Sequence, residues 1–206
     1  MSPTARGNAR TLSAARRRMQ ILHAAMGIGS KRGLASMTMD EVAQAAKLSK
    51  GLPFYYFGSK QKLHLAMIDL FSEGISGRVA SIQQSDTDPQ DMLRAVCWEF
   101  VSALTVQCTH PRILIEFWSM ALRDREIAGK LGSIRERMIE WIAQTLEHAS
   151  VRSKEPGAAA QALYAALVGI ASQWVLSKKA FDPQSVLAAT LDGFLSPALQ
   201  TGGRGT

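Results

Sequence analysis

The residues with the clearest chemical role in this 206-residue chain lie within one short stretch, residues 38–60. Thr38 followed three residues later by Glu41 is a capping-box signature, which predicts the start of a short helix. Ser49 can cap a second short helix over residues 50–57. Two short helices joined by a tight turn form a helix-turn-helix, so this stretch predicts DNA binding.

The second short helix is predicted to have two different arcs at about 100° per residue. One arc contains Lys50, Pro53, Phe54 and Phe57, and the other contains Gly51, Leu52, Tyr55 and Tyr56. A core helix does not need to present two tyrosines and a leucine to solvent, whereas a recognition helix uses such side chains on phosphates, base edges and thymine methyls. The alternative is an ordinary core helix with amphipathic tyrosines.

Charge is distributed unevenly along the chain. Residues 1–64 carry eleven Lys and Arg against two acidic residues, a net charge of +9, whereas the remaining 142 residues carry thirteen against fifteen, a net charge of −2. A solvated surface would mix the two signs. A basic N-terminal module on a nearly neutral body is the electrostatic footprint of nucleic-acid binding, because phosphate contacts release counterions.

An ordered, ungapped series of short motifs runs from Arg18 to Leu63. The motifs are Arg18-x-x-Ile21-Leu22-x-Ala24-Ala25, Gly33-Leu34, Thr38-Met39, Val42-Ala43-x-x-Ala46, Leu48-Ser49-Lys50-Gly51 and Tyr55-Tyr56-Phe57-x-Ser59-Lys60-x-x-Leu63. This series resembles the N-terminal domain of TetR-family transcriptional regulators and covers about the first third of the chain. Three positions depart from the family pattern: Lys47 replaces the usual turn glycine, Pro53 the usual leucine, and Phe54 a frequent tyrosine.

The resemblance and the helical pattern together predict which residues contact DNA. We expect Lys50, Gly51 and Leu52 to approach base edges. We expect phosphate contacts from Thr38, Ser49, Tyr55, Tyr56 and Lys60, with Tyr56 also within reach of a base. Arg10 and residues 16–18 can add a minor-groove or backbone contact.

Hydrophobic periodicity predicts an all-α fold of about nine helices, with no stretch that alternates as a strand would. In addition to the two short helices, one helix is predicted over residues 13 or 14–32, and another begins after a Ser59 cap and contains Leu63, Met67, Leu70, Phe71 and Ile75. Further helices are predicted over residues 89–104, 113–122, 124 to about 148, 156 or 157 to about 177, and 183 to about 199. We predict a flexible basic arm over residues 1–12, a helix-turn-helix domain over 13–60, a helical effector-binding and dimerisation domain over 61–199, and a disordered tail over 200–206.

Residues 158–176 contain no charged side chain, so a membrane span and a soluble interface helix are the two alternatives. Alanine richness and Gln161, Ser172 and Gln173 favour an interface helix. The resemblance implies that the last two helices form a four-helix dimer bundle. The predicted dimer residues are Leu163, Leu167, Ile170, Trp174, Leu187, Leu191 and Phe194.

The C-terminal part contains an aromatic and methionine cluster with nearby glutamates. The resemblance implies an effector pocket there, lined by Trp98, Phe100, Glu116, Phe117, Met120, Met138, Trp141 and Tyr164. Such a lining suits apolar or flat ligands, and a pocket-facing Glu116 would favour a cationic one. The alternative is that these residues form an ordinary hydrophobic core.

Other chemistry is not indicated. The four histidines lack metal-ligand spacing, the glycines at 27, 29 and 33 match no phosphate-binding pattern, and no catalytic constellation is present. We therefore expect neither a cofactor nor a metal nor enzymatic activity. Cys97 and Cys108 are expected to be reduced thiols, because about 16 Å would separate them along one helix. The N-terminus does not resemble a signal peptide, and we expect a cytoplasmic protein with no membrane partner.

These features predict a homodimeric, sequence-specific transcriptional regulator that binds double-stranded DNA at an inverted-repeat operator. Release by a small-molecule effector in the C-terminal domain would make it a repressor. The alternative is a DNA-binding architectural protein without a ligand response.

Overall fold

The computed structural model describes the backbone of residues 3–106, 112–148 and 156–195, and side chains within 13–106, 112–148 and 157–195. All regular structure in these ranges is helical, which confirms the all-α class. The helices are α1 (Pro3–Arg32), α2 (Met39–Ala45), α3 (Leu52–Phe57), α4 (Lys60–Gln83), α5 (Pro89–Leu104), α6 (Arg112–Ala121), α7 (Arg125–His148), α8 (Pro156–Leu176) and α9 (Pro183–Leu195).

Side-chain caps place most helix starts where the sequence predicts them. Thr38 Oγ1 accepts the backbone N–H of Glu41 at 3.2 Å, and the Glu41 carboxylate accepts the Thr38 N–H at 2.9 Å. Ser59 Oγ accepts the Lys62 N–H at the start of α4. The carboxylates that cap α5, α7 and α9 are Asp88, Asp124 and Asp182. These caps satisfy N–H groups that have no partner inside their own helix.

The first helix is longer than predicted. It begins at Pro3 rather than at Ser13 or Ala14, so most of the predicted flexible arm belongs to α1. Residues 3–12 are rich in alanine and arginine and contain only one glycine after the first-turn proline, so little opposes helix propagation. The predicted extension of α9 to Leu199 and the predicted tail lie outside the described residues.

The chain divides into two compact units. The N-terminal unit comprises residues up to Leu70 together with Arg112–Ile127, and the body unit comprises Phe71–Pro111 with the residues from Ala128 onward. α6 therefore groups with α1 to α3 and the first half of α4, although it follows α5 in the chain. The sequence alone had assigned α6 to the C-terminal domain.

Each unit has its own apolar core. In the N-terminal unit the core contains Ile21, Leu22, Leu34, Met37, Val42, Phe57, Leu63, Met67, Ile113 and Phe117. In the body unit α5, α8 and α9 pack against one another around Leu93, Val96, Phe100, Leu104, Ile142, Leu146, Leu163, Leu167, Trp174, Leu187 and Leu191. Cys97 is a buried free thiol in this second core, and burial raises its pKa to about 12. Cys108 lies outside the described residues.

Candidate nucleic-acid interface

The turn between α1 and α2 begins with a left-handed glycine. Gly33 has φ +88°, and its N–H donates to the Gly29 carbonyl at 2.9 Å. The Leu34 side chain packs against Gly29 so closely that an added Cβ there would lie 2.4 Å from Leu34 Cδ2. The glycine-rich segment is therefore a helix terminus with close packing, as the sequence indicated.

The turn between α2 and α3 is closed by Lys47. This lysine has φ +54°, the left-handed conformation that the glycine of the family pattern adopts more easily. Its N–H donates to Gln44, and the Leu48 N–H returns to the Ala43 carbonyl at 2.9 Å. Gln20 of α1 also donates from Nε2 to the Ala46 carbonyl at 2.6 Å. The sequence did not indicate this last contact, which ties the turn to α1.

The recognition helix α3 starts later than predicted. Its N-cap is Gly51 rather than Ser49, and no side chain caps it. Ser49 instead offers its carbonyl to the Leu52 N–H at 3.0 Å. A start at Lys50 would place Pro53 where the helix requires an N–H, whereas a start at Leu52 keeps the proline in the first turn. The prediction of a Ser49 cap was wrong for this reason.

The outward face of α3 carries large side chains. Tyr55 is 83% exposed and Phe54 is 50% exposed, whereas Pro53 and Phe57 are buried. Phe54 therefore does not share the buried arc that the helical wheel suggested, because α3 is short and only its Pro53–Phe57 edge faces the core. The Tyr56 ring meets the Tyr55 ring edge-on, with centroids 5.3 Å apart.

Basic side chains occur at several places in this unit. Lys50 is exposed and lies 3.4 Å from an Asp40 carboxylate oxygen, an exposed ion pair that contributes little to stability. Lys60 donates from Nζ to the Ala35 carbonyl at 2.6 Å. The Arg18 guanidinium lies over the Phe57 ring, 5.0 Å from its centroid. The unit thus combines cationic groups with exposed aromatic rings.

Some predicted DNA contacts already have partners within the chain. The Thr38 hydroxyl donates to the Glu41 carboxylate at 3.0 Å while accepting the Glu41 N–H. The Thr38 backbone N–H, with help from Arg32 at 2.7 Å, lowers the pKa of the Glu41 carboxyl below its usual value. The other predicted contacts are exposed at Ser49, Lys50 and Gly51 and half-buried at Leu52 and Tyr56.

The predicted pocket residues fall into both compact units. Glu116, Phe117 and Met120 belong to the N-terminal unit, whereas Trp98, Phe100, Met138, Trp141 and Tyr164 belong to the body unit. Glu116 is occupied by a backbone contact, because its Oε2 accepts the Leu34 N–H at 3.2 Å. Phe117 is buried, with its ring centroid 6.4 Å from that of His64.

In the body unit two of the predicted pocket residues form an aromatic pair. The ring centroids of Phe100 and Tyr164 are 5.9 Å apart, and burial raises the pKa of the Tyr164 hydroxyl. Trp98, Met138 and Trp141 are half-buried. Glu99, which the sequence placed near this cluster, forms an ion pair with Arg78.

The predicted dimer residues are mostly core residues of the protomer. Leu163, Leu167, Ile170, Trp174, Leu187 and Leu191 are all buried within the chain, and Phe194 is half-buried. These six side chains pack within the protomer, because the large residues of α8 and α9 turn toward α5 and toward each other, and their role in a dimer stays a prediction. The opposite side of α8 presents Ala158, Ala162, Ala165, Gly169, Ser172 and Leu176 at helical spacing.

Within the described ranges, no group of three or more His, Cys, Asp or Glu residues is arranged to hold a metal ion. The segment Gly157–Leu176 is long and apolar enough to cross a membrane by length and composition, and 33% of it is buried inside the chain. A helix that packs in a soluble core passes the same test.

Two family models match the chain. Residues 21–67 match bacterial regulatory proteins of the tetR family, and residues 89–196 match the C-terminal domain of BetI-type transcriptional repressors. The chain belongs to the TetR family. As a TetR-family member it is a DNA-binding transcriptional regulator, and its sequence relatives include repressors.

Individual relatives support this assignment. The chain is 29% identical over 117 residues to the transcriptional repressor NicS of Pseudomonas putida, covering 52% of this chain and 55% of NicS. It is 28% identical over 113 residues to the regulator BetI of Stenotrophomonas maltophilia, covering 54% of this chain and 58% of BetI. The chain thus spans little more than half the length of these curated relatives.

A solved structure shows the same fold over most of the chain. A transcriptional regulator from Saccharomonospora viridis in complex with choline superposes with a TM-score of 0.75 at 17% identity, covering 88% of this chain and 96% of that one. At this identity the likeness establishes the fold and not the ligand.

Proposed function

We propose that this TetR-family chain is a homodimeric repressor that occupies an inverted-repeat operator and is released by a small-molecule effector. The observation that carries the proposal is the outward face of α3, where exposed Tyr55 and Phe54 lie beside Lys50 on the strongly basic N-terminal unit. Apolar rings exposed beside cations cost solvation energy unless a partner covers them, and duplex DNA offers both phosphates and thymine methyls.

The exposed groups divide into two roles. Lys50, Gly51 and Leu52 stand at the leading end of α3 and would approach base edges, since the N-terminal residues of a recognition helix enter the major groove. Ser49, Tyr55, Tyr56, Lys60 and Thr38 would hold phosphates. Phe54 joins this surface as an apolar contact, because half of its side chain is exposed.

Dimerisation is proposed through the outer faces of α8 and α9. Residues 157–176 carry no charged side chain, yet only a third of this segment is buried within the chain. Ala162, Ala165 and Gly169 allow another helix to approach closely, and Leu176, which is 63% exposed, supplies apolar area. A second copy presents the same uncharged face, which makes the contact self-complementary under two-fold symmetry.

The effector is proposed to bind in the body unit near Phe100 and Tyr164, and to be apolar or flat rather than cationic. Choline is bound by the Saccharomonospora viridis regulator. In this chain, however, the two glutamates that the sequence placed near the aromatic cluster already have partners, Leu34 N–H for Glu116 and Arg78 for Glu99. Neither carboxylate is available as an unpaired counter-ion for a cation.

The proposal is tested by selecting bound duplexes from a random DNA pool at near-physiological salt, with the full-length protein. An enriched inverted repeat is the expected result, and the repeat then serves as the probe for effectors that release the protein. Salt-dependent binding without enrichment would contradict the proposal and favour an architectural DNA-binding role. Light scattering of the free protein measures its oligomeric state, and a stable monomer would contradict the proposed homodimer. We place this protein in the cytoplasm with its DNA target.

A further inference from the structure

The Leu34 N–H, just after the end of α1, has no acceptor within that helix. One hydrogen bond, from the Gly33 N–H to the Gly29 carbonyl, closes the left-handed turn at the end of α1. The N–H of the next residue, Leu34, finds no acceptor in that turn. Leu34 is fully buried, so an unpaired N–H at this position would be costly. Glu116 of α6 supplies the acceptor, with Oε2 3.2 Å from the Leu34 nitrogen.

The Glu116 carboxylate lies directly against the backbone of the turn. A Cβ added at Gly33 would lie 3.2 Å from Oε1 and 3.3 Å from Oε2. The absence of a side chain at Gly33 therefore makes room for the carboxylate, in addition to permitting φ +88°. Ile113 and Phe117, on the same side of α6, meet the Gly29 region and His64 of α4.

A basic side chain, that of Lys60, binds the other side of the same turn. Lys60, at the start of α4, donates from Nζ to the carbonyl of Ala35 at 2.6 Å. The four-residue turn 33–36 is thus bonded to an acidic side chain from α6 and to a basic side chain from α4. Because Thr38 caps α2 directly after this turn, the turn sets the direction in which α2 leaves α1.

We propose that Glu116 is a positioning residue for the helix-turn-helix, which holds the α1–α2 turn in its DNA-reading conformation without touching DNA. The proposal rests on the proposed function and replaces the predicted role of Glu116 as an effector contact. α6 would then be able to change operator affinity by moving its carboxylate away from Leu34, because the turn would lose its acceptor.

The bond itself can be tested without DNA by nuclear magnetic resonance of the ¹⁵N-labelled full-length protein. In the wild type we expect the Leu34 amide to exchange slowly with solvent, because its N–H is hydrogen-bonded to the Glu116 carboxylate. Glu116→Ala should speed this exchange by about tenfold, because the N–H loses its acceptor. Glu116→Gln keeps a carbonyl acceptor, so it should preserve much of the protection, but it should move the Leu34 amide resonance because a neutral amide replaces the carboxylate.

The control for this measurement is Glu140→Gln, the same change at an exposed position of α7. It should leave the Leu34 resonance unchanged. The proposal would be overturned if the Leu34 amide responded to Glu140→Gln as strongly as to Glu116→Gln. It would also be overturned if the Leu34 amide responded to neither Glu116→Ala nor Glu116→Gln. If Glu116→Ala fails to fold, Glu116→Gln decides the question, because the Leu34 amide resonance should move in this variant and not in Glu140→Gln.

The consequence for DNA is measured by fluorescence anisotropy with the selected operator and with random duplex. Glu116→Ala should weaken operator binding by about 10- to 150-fold, the loss expected for one hydrogen bond to a charged group, and Glu116→Gln by less. The salt dependence should not change, because no phosphate contact is removed. An unchanged operator affinity would overturn the positioning role. If no operator exists, the Leu34 resonance still reports the bond, so the two failures are distinguishable.

Discussion

The outer faces of α3 and α8 are both exposed and both carry apolar groups, but they suit different partners. On α3 the exposed groups are large, Tyr55 and Phe54, and a lysine stands beside them. On α8 the exposed Ala162 and Ala165 and the half-buried Gly169 are small, and no residue from Pro156 to Leu176 is charged. Large amphipathic rings with cations suit a charged, grooved surface, whereas small uncharged residues suit a helix that approaches closely.

The two faces should therefore respond oppositely to salt. Binding through α3 releases counterions and should weaken as salt rises. Association through α8 buries apolar area and should be nearly insensitive to moderate salt. We expect the largest effects from substitutions on the dimer face, smaller effects from substitutions in the two cores, and the smallest from single contacts with DNA.

The largest effect is expected from a charge on the α8 face. Ala165→Glu would bury an unpaired carboxylate against its symmetry mate, and loss of the dimer should reduce operator affinity by roughly 100-fold or more. Light scattering should show a folded monomer. Ala128→Glu, the same change at an exposed position of α7, is the control and should remain dimeric. A dimer that survives Ala165→Glu would place the interface elsewhere.

The next largest effect is expected from a substitution on the buried side of α8, which tests whether this side stabilises the protomer and not the dimer. Leu167 is fully buried, so Leu167→Ala should lower the free energy of unfolding by about 2–5 kcal/mol, as in other buried leucine sites. Urea unfolding at fixed protein concentration measures this loss. If Leu167→Ala instead left stability intact and dissociated the dimer, the buried stripe would be the interface after all.

An acid-dependent effect distinguishes the two cores. His64 in the N-terminal unit is 3% exposed, and its Nε2 has no hydrogen-bond partner among the residues that the structure describes. Burial, together with the charge of Lys60, lowers its pKa to about 4 despite the opposing charge of Asp124. The unfolded chain takes up this proton near pH 6.5, so stability should fall between pH 6.5 and pH 4. In the body unit, by contrast, the buried hydroxyls of Thr105 and Thr145 donate to carbonyls one turn earlier.

Replacing this histidine should remove the acid sensitivity. Between pH 7 and pH 4.5, His64→Leu should lose about 2–3 kcal/mol less unfolding free energy than the wild type, since one pKa unit corresponds to about 1.4 kcal/mol. Urea unfolding at the two pH values measures the difference. His23→Gln, at an exposed position, should behave as the wild type. Equal acid losses in all three proteins would show that His64 is not responsible.

A smaller effect is expected at the leading end of α3. Leu52→Ala should change the preference at one operator base pair by about 1–2 kcal/mol, because its side chain would contact a base edge and not a phosphate. Binding to a panel of operators with single base-pair changes measures this. Uniform weakening across the panel would assign Leu52 to packing alone, which its half-buried position would then explain.

The smallest effect is expected at Lys60. Lys60→Ala should weaken binding to all duplexes and reduce the slope of the salt dependence by about one, the loss of one phosphate contact. Lys62→Ala, at the exposed neighbouring position, serves as the comparison. Because Lys60 also bonds to the Ala35 carbonyl, a loss restricted to the operator with an unchanged slope would indicate positioning instead.

The local sequence by itself determined the helix caps and the turn conformations, because each depends on interactions between residues a few positions apart. The Thr38–Glu41 capping box, the Ser59 cap and the Asp88 cap each depend on a side chain reaching a backbone group up to three residues away. The left-handed Gly33 and Lys47 also follow from local turn requirements. For the same reason the basic charge of the N-terminal third and the helical class could be predicted.

Only the tertiary structure decided which side of each helix is free. α8 carries no charge around its whole circumference, so its pattern could not show that Leu163 and Leu167 face the protomer core while Ala165 faces outward. Glu116 is 82 residues from Leu34 in the chain, and no local pattern predicts that pairing. Contacts between distant segments depend on how the helices pack, and the sequence of one helix does not specify its neighbour.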